Sequence, residues 1–260
     1  MGKGWVKRVS RLWRVADEPA DVSAPPLGLS PWQKVEPHPD QQFGCFSYAQ
    51  HGDDLIVVAI FNSLGLKQPS YLDVGAHHPF NISNTALLYA RGSRGVNIEA
   101  NPNLVEAFKV HRPEDVTLNV GVSPESGPDL TFYMIDKWSG RNTFNQETAE
   151  EFVRAYPEFQ ITEQIQVPVV TVSDVVDQYF AGVFPDFLSI DVEGLDEPVL
   201  RSINYDKSSP KVICVETVGP DGARTDGALK EFLGGKGYFP LIRCGGNTIF
   251  VRECYRSLVC

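Results

Sequence analysis

What this chain of 260 residues lacks narrows the possibilities first. No apolar run reaches the roughly 18 residues that a membrane-spanning helix requires. There is no C-x-x-C pair. The five cysteines (Cys45, Cys214, Cys244, Cys254 and Cys260) are odd in number and scattered, which is neither a disulfide framework nor a zinc site. A reducing cytosol is the compartment expected from that usage. The N-terminus has no apolar signal-peptide core, so export is not expected. Basic residues are also short: 23 Lys and Arg stand against 33 Asp and Glu, a formal charge of −10. Nucleic acid is therefore excluded as a main partner, because phosphate binding needs clustered Lys and Arg. Around Gly75, finally, neither G-x-G-x-x-G nor G-x-x-x-x-G-K-[ST] is present, so the chain has no phosphate cradle there.

What is present is an ordinary globular composition, 42% hydrophobic and 22% charged, long enough for a single sizeable core. The charge is uneven. The first 14 residues hold Lys3, Lys7, Arg8, Arg11 and Arg14 with no acid, leaving −15 on the remainder. Residues 1–15 can form a basic amphipathic helix with Trp5, Val9 and Leu12 on one face, and 17–40 read as a proline-rich linker. The arm and linker, 1–40, precede a domain expected over 41–260. Two docking partners suit the arm: an anionic membrane surface, or the protein's own acidic body or a second subunit. The oligomeric state is left open.

Past the linker, Tyr48 to Leu64 reads as a helix with Leu55, Ile56, Ala59 and Ile60 as its buried stripe. Strand and helix patterns then alternate, the sign of a parallel sheet covered on both faces. Strands are expected at 70–75, 95–99, 116–121, 186–191 and 211–217, and helices at 84–92, 103–112, 197–203 and 226–235. Asn84 is placed as a cap and Pro198 in a first helical turn. Extra strands at 130–135 and 166–171 bracket a polar insertion, 137–165, with a helix from Gln146 to Tyr156 capped by Asn145. The chain closes in a hairpin over Phe239 to Val251, turning at Cys244-Gly-Gly-Asn247.

Chemistry concentrates at two strand ends. Ser70-Tyr-Leu-Asp-Val-Gly-Ala-His-His-Pro79 is a strand ending in Asp73, Gly75 and a turn; Gly95-Val-Asn-Ile-Glu-Ala-Asn-Pro102 ends in Glu99, 26 positions after Asp73. Open α/β sheets bind nucleosides beyond such ends, with the second acid on the ribose hydroxyls. Glycine lets the backbone come close to the ligand. An acid beside a glycine turn without a phosphate cradle suits a cationic, phosphate-free nucleoside, and S-adenosylmethionine fits. A nicotinamide oxidoreductase is disfavoured by the missing glycine pattern. A silent interaction subunit is disfavoured by the intact set Asp73, Gly75, Glu99 and Asp191.

In order along the chain, Ser47-Tyr-Ala-Gln-His-Gly-Asp-Asp54, Leu72-Asp-Val-Gly-Ala76, Asn97-Ile-Glu-Ala-Asn-Pro102, Ser189-Ile-Asp-Val-Glu-Gly194 and Val212-Ile-Cys-Val-Glu216 resemble the FkbM family of S-adenosylmethionine-dependent methyltransferases over about residues 45–252. Ala100 stands where that family usually has proline, and His77-His78-Pro79 replaces a glycine-rich turn. The resemblance implies an α/β, Rossmann-like class I methyltransferase fold, mostly parallel with a C-terminal antiparallel hairpin. It also implies O-methylation of a sugar, glycan or secondary metabolite; the cysteine usage places the protein in the cytoplasm, with peripheral contact at the inner membrane surface allowed by the arm.

On that reading the donor is held by Asp73, Gly75, Ala76, His77, Glu99, Asn101 and Val122. Tyr48, Gln50 and Asp54 fold over it, or else cap a helix and fill the core. Asp191 and Glu193 end the fourth core strand, facing the transferred methyl group, and His78 is a further candidate base. Glu216 ends the neighbouring strand, so three carboxylates converge. Close acids raise one another's pKa, which suits a base that deprotonates a hydroxyl; the same trio could hold Mg²⁺ or simply pair with an arginine. Catalysis without a metal is the reading adopted. From the insertion, Trp138, Arg141 and Asn142 join Glu216 on the acceptor side.

Overall fold

In the computed structural model of the chain, the described residues are 45–218 and 226–260, so the basic arm over 1–15 and the linker over 17–40 lie outside them. The α/β unit runs over Tyr48–Cys260. It opens with α1 (Asp53–Ser63), β1 (Tyr71–Val74), α2 (Ala86–Ala90), β2 (Gly95–Ile98), α3 (Pro102–His111) and β3 (Val116–Leu118). The middle holds β4 (Gly121–Val122), β5 (Leu130–Met134), α4 (Gln146–Ala155), β6 (Glu163–Val167), β7 (Val169–Val170) and α5 (Val172–Tyr179). Then come β8 (Phe187–Ile190), α6 (Asp196–Ser202), β9 (Val212–Glu216), α7 (Asp226–Gly235), β10 (Tyr238–Cys244), β11 (Asn247–Arg252) and α8 (Arg256–Val259).

Seven strands form one sheet in the order β10-β11-β9-β8-β1-β2-β3. Pairing is parallel from β3 across to β9, and β11 runs antiparallel between β9 and β10. The chain leaves β1 toward β2 on one side and returns to β8 on the other. That reversal opens a crevice beyond the carboxyl ends of β1, β2 and β8, where ligands of open α/β sheets bind.

Period-2 alternation sends each strand's side chains to two layers. Leu72, Val74, Val96, Ile98, Leu188, Ile190, Ile213 and Val215 pack with Val172, Val175, Val176, Val199 and Leu200 from α5 and α6. Tyr71, Phe187, Val212 and Cys214 face the other way, onto Val57, Ile60 and Phe61 of α1 and Leu88 of α2. No helix among the described residues is long and apolar enough to cross a membrane.

Several local readings change. The first helix starts only at Asp53, because Gly52 holds φ 88, a left-handed value that ends the preceding turn. Its buried face is Val57, Val58, Ile60 and Phe61, whereas Ala59 is exposed and Leu55 and Ile56 only half-buried. Asn84 does not cap α2: its amide donates to Ser189 Oγ at 3.3 Å, and Ser83 Oγ accepts from Ala86 N at 3.1 Å instead. The expected strand 166–171 breaks at Pro168, which lacks an N–H. β6 then pairs with β5 and β7 with β4. Helix α5, unforeseen, begins with a reciprocal cap between Thr171 and Asp174.

Candidate active site

Four strand ends build the site. Ladder bonds run on past the strands, with Gly75 and Ala76 N donating to Ile98 O at 3.0 Å, Glu99 N to Leu118 O at 3.0 Å and Asp191 N to Val74 O at 3.0 Å. Gly75 has φ 77, and a Cβ there would lie 1.8 Å from the Asp191 carbonyl oxygen. Only glycine lets the β1 turn and the β8 end come this close. His77 (φ 53) and Glu193 (φ 48) are non-glycine residues in the left-handed region. Such backbone is costly and clusters at functional sites.

A cavity of about 60 Å³ lies against these ends, walled by Gly75, His77, Glu99, Val122, Asn142 and Asp191 among others. Glu99 Oε2 accepts His77 N and its Oε1 accepts Asn101 N, both at 2.7 Å. Each oxygen keeps a second lone pair for a ligand hydroxyl. Burial raises the Glu99 pKa to about 7 despite those two bonds. Burial likewise pushes His77 down to about 4, so its imidazole is neutral, and its Nδ1 is buried without a partner among the described residues.

A second cavity, about 510 Å³, is lined by Arg141, Glu193, Asp196, Arg201, Glu216 and Leu229 among others. Glu193 lines both cavities. Asp191, Glu193 and Glu216 each offer a carboxylate oxygen within 4.8 Å of the others'. Arg141 Nη1 sits 3.1 Å from Glu193 Oε2 and supplies positive charge to the trio. Desolvation and the neighbouring acids push Asp191 and Glu216 well above the ordinary carboxylate range. Asp191 Oδ1 is buried with no hydrogen-bond partner among the described residues. Asp196, missed in the sequence, holds the turn: its carboxylate accepts Val192 N at 3.1 Å and Gly194 N at 3.3 Å. Its signal was an acid in the first turn of a helix, directly after a glycine turn.

Other expected residues are placed elsewhere. Asp73, Ala76, His78, Asn101 and Trp138 line neither cavity. Asp73 is buried and accepts Thr85 Oγ1 at 2.6 Å. His78 Nδ1 accepts Phe80 N at 3.1 Å and Asn81 N at 2.9 Å, which makes it the pin of its loop. Asn101 caps α3 through Asn103 N, and its amide donates to Lys137 O. Trp138 stacks near Lys137 Nζ, 5.4 Å from the ring centroid. Asn142 reaches the first cavity, but its side chain bonds Ile135 N and Asp136 O. Asp54 Oδ2 accepts Tyr48 N at 2.7 Å and the Tyr48 ring lies 5.6 Å from Phe80, so this segment packs on the loop after β1, and Tyr48, Gln50 and Asp54 line neither cavity.

A seven-stranded sheet with one antiparallel strand set next to its edge, and a crevice at the strand ends beside convergent acids, defines the Rossmann-like methyltransferase class. The methyltransferase FkbM domain family matches residues 73–240, and the chain belongs to that family. Its methyl donor is accordingly S-adenosylmethionine. Two solved structures are similar. One is methyltransferase FkbM from Methylobacillus flagellatus, with 13% identity, TM-score 0.37, and coverage of 71% of this chain and 44% of that one. The other is Burkholderia thailandensis 1,6-didemethyltoxoflavin-N1-methyltransferase with 1,6-didemethyltoxoflavin and S-adenosylhomocysteine bound. It shows 12% identity, TM-score 0.38, and coverage of 78% and 77%. The chain thus spans less than half the length of the Methylobacillus protein. No curated protein matches it.

Proposed function

We propose that the protein O-methylates a hydroxyl of a small polar acceptor, a sugar, glycan or secondary metabolite, using S-adenosylmethionine. The observation that supports it is Glu193, which lines both the crevice at the strand ends and the 510 Å³ cavity, with Asp191 beside it in the crevice. That second volume falls within the ~300–1,000 Å³ of small-molecule sites. The donor crevice fits the group by two features: the cradle at Gly75 that a Cβ would fill, and the Glu99 carboxylate with lone pairs to spare.

When bound, S-adenosylmethionine supplies an electrophilic methyl carbon on a sulfonium. Glu99 accepts its ribose hydroxyls, and Gly75 and His77 shape the turn beside it. Asp191 would take the acceptor's hydroxyl proton, freeing the oxygen to attack the methyl carbon that the donor would supply, with the donor's sulfur leaving as a neutral thioether. Burial and the neighbouring acids raise its proton affinity, while the Arg141 charge opposes them and favours the carboxylate form that can accept the proton. Arg141 holds Glu193 in place against the repulsion of the other two carboxylates. Glu216, kept protonated by the same surroundings, donates a hydrogen bond to the acceptor. No metal is assigned, since the Arg141 guanidinium already neutralises part of the trio.

Calorimetry with S-adenosylmethionine and with NAD tests the donor assignment. Tight binding of the first and none of the second is expected; the reverse would overturn it. Incubating cell extract with isotope-labelled donor then identifies the acceptor. Label on nitrogen or carbon rather than oxygen would refute the hydroxyl assignment.

A further inference from the structure

The crevice beside Glu99 has an apolar end to which the proposed function gives no role. Past Glu99 the wall continues through Ala100, Gly121 and Val122 to the rings of Phe132 and Phe144. Those rings are 4.8 Å apart, tilted by 50°, and Ala100 and Phe144 pack on the small cluster of Phe132, Met134 and Val167. The Phe144 ring rests directly on Gly121: a Cβ on that glycine would lie 2.2 Å from Cζ of the phenyl group. A flat ring over a residue with no side chain makes a slot with two flat walls, closed here by direct contact at one end of the 60 Å³ cavity.

Sheet order says which part of the donor meets this slot. From the reacting carboxylates on β8 and β9, the strands run through β1 to β2, which carries Glu99, and then to β3. A donor whose ribose sits at Glu99 and whose sulfonium sits near Asp191 must send its base the other way, toward Ala100 and Gly121. The base is flat and apolar-faced, and aromatic side chains bind such rings by stacking.

We propose that Phe144 is the residue on which the donor's adenine stacks, its ring lifting from Gly121 to admit the base between them. This rests on the reading of Glu99 as the ribose acceptor. The segment that leads into Phe144 is anchored at two points. Asn101 Nδ2 donates to Lys137 O at 3.0 Å, and Thr143 Oγ1 to Glu193 O at 3.0 Å. The same segment carries Arg141, the ion-pair partner of Glu193. Base seating and carboxylate placement therefore share one strap.

The test uses the full chain, S-adenosylhomocysteine as probe, and three variants. By calorimetry, Phe144→Ala should weaken the probe by about ten- to a hundredfold, and Phe144→Leu by nearly as much. Phe144→Trp should keep affinity within about threefold of wild type, because an indole also stacks. Probe addition should also change the tryptophan emission of Phe144→Trp by an amount absent in wild type. Thermal melts without the probe confirm that each variant folds. Wild-type affinity in Phe144→Ala and Phe144→Leu overturns the proposal, and tighter binding there makes the ring a plug, which overturns it too. Unchanged emission in a folded Phe144→Trp that binds the probe has the same force. Glu99→Ala separates the two readings. If it leaves affinity unchanged, the ribose assignment is the part that fails, and the base loses its anchor with it. If Glu99→Ala weakens binding and the Phe144 variants do not, only the stacking is lost.

Discussion

Two charged groups flank the central strands, one fully buried and one half-buried, and they are built on opposite principles. Behind β1, Arg112 and Asp115 have no exposed side-chain surface and are 2.8 Å apart. Arg112 also donates to Tyr71 OH at 2.9 Å, Thr85 Oγ1 at 3.0 Å and Asn97 Oδ1 at 3.1 Å. Asp115 accepts from Tyr71 OH, from Gly95 N at 2.9 Å and from Asn97 Nδ2 at 3.0 Å. One positive charge meets one negative charge, and each is saturated with bonds. In front, Asp191, Glu193 and Glu216 share a single arginine, and one oxygen is left without a bond. A saturated buried pair fixes a fold, whereas an acid excess with an orphaned oxygen is stable only at a cost and has capacity left for a ligand.

The sharpest way to break the comparison is to damage each side. Arg112→Met strands Asp115 as an unpaired buried charge, so the fold should lose about 3–5 kcal/mol. By calorimetric melting that is a drop on the order of 10 °C. A melt within a degree or two of wild type would remove the distinction. Asp191→Asn, nearly the same shape, should cut turnover about 10²-fold or more while the melting temperature stays level or rises. Loss of donor affinity with turnover intact would make Asp191 a binding residue instead.

Glu99→Ala should weaken S-adenosylhomocysteine by about 1.5–3 kcal/mol, ten- to a hundredfold by titration calorimetry. Because burial raises Glu99 to about 7, wild-type affinity should decline as pH falls through neutrality, and that decline should flatten in the variant. A pH-dependent effect is expected at Glu216, raised far above its ordinary 4.5. An acid raised by folding takes up a proton as the chain folds. Its stabilisation is complete below 4.5 and is lost as pH climbs toward the folded value. Glu216→Gln cannot ionise, so its melting temperature should gain on wild type steadily between pH 5 and pH 9. A constant difference across that range would place the Glu216 proton elsewhere.

Legibility in the sequence followed the range of each interaction. The strands at Leu72, Ile98, Ile190 and Val215 could be read because burial on both faces makes them continuous apolar runs. Gly75 was legible because a close backbone approach leaves no other choice of residue, and the terminal hairpin because Gly245-Gly246 punctuates it. His78 misled because a loop imidazole looks the same in sequence whether it caps two N–H groups or faces a substrate. The contact of Phe144 with Gly121 gave no readable sign, although the insertion that carries Phe144 did: the two residues are far apart in sequence and meet only through the fold. Arg112 was equally silent, since an arginine that closes a helix is almost always at the surface.

The antiparallel strand β11 has a consequence for synthesis. It is the last strand of the sheet to leave the ribosome, yet it is hydrogen-bonded along the whole of β9, from Val212↔Val251 to Glu216↔Asn247. A chain stopped before residue 238 already contains every donor-side strand, but exposes Val212-Ile-Cys-Val-Glu216 as an unprotected apolar edge. Such an edge recruits strands from other molecules. Prematurely terminated copies should therefore be found in the insoluble fraction, associated through β9, rather than as soluble half-enzymes that sequester the methyl donor.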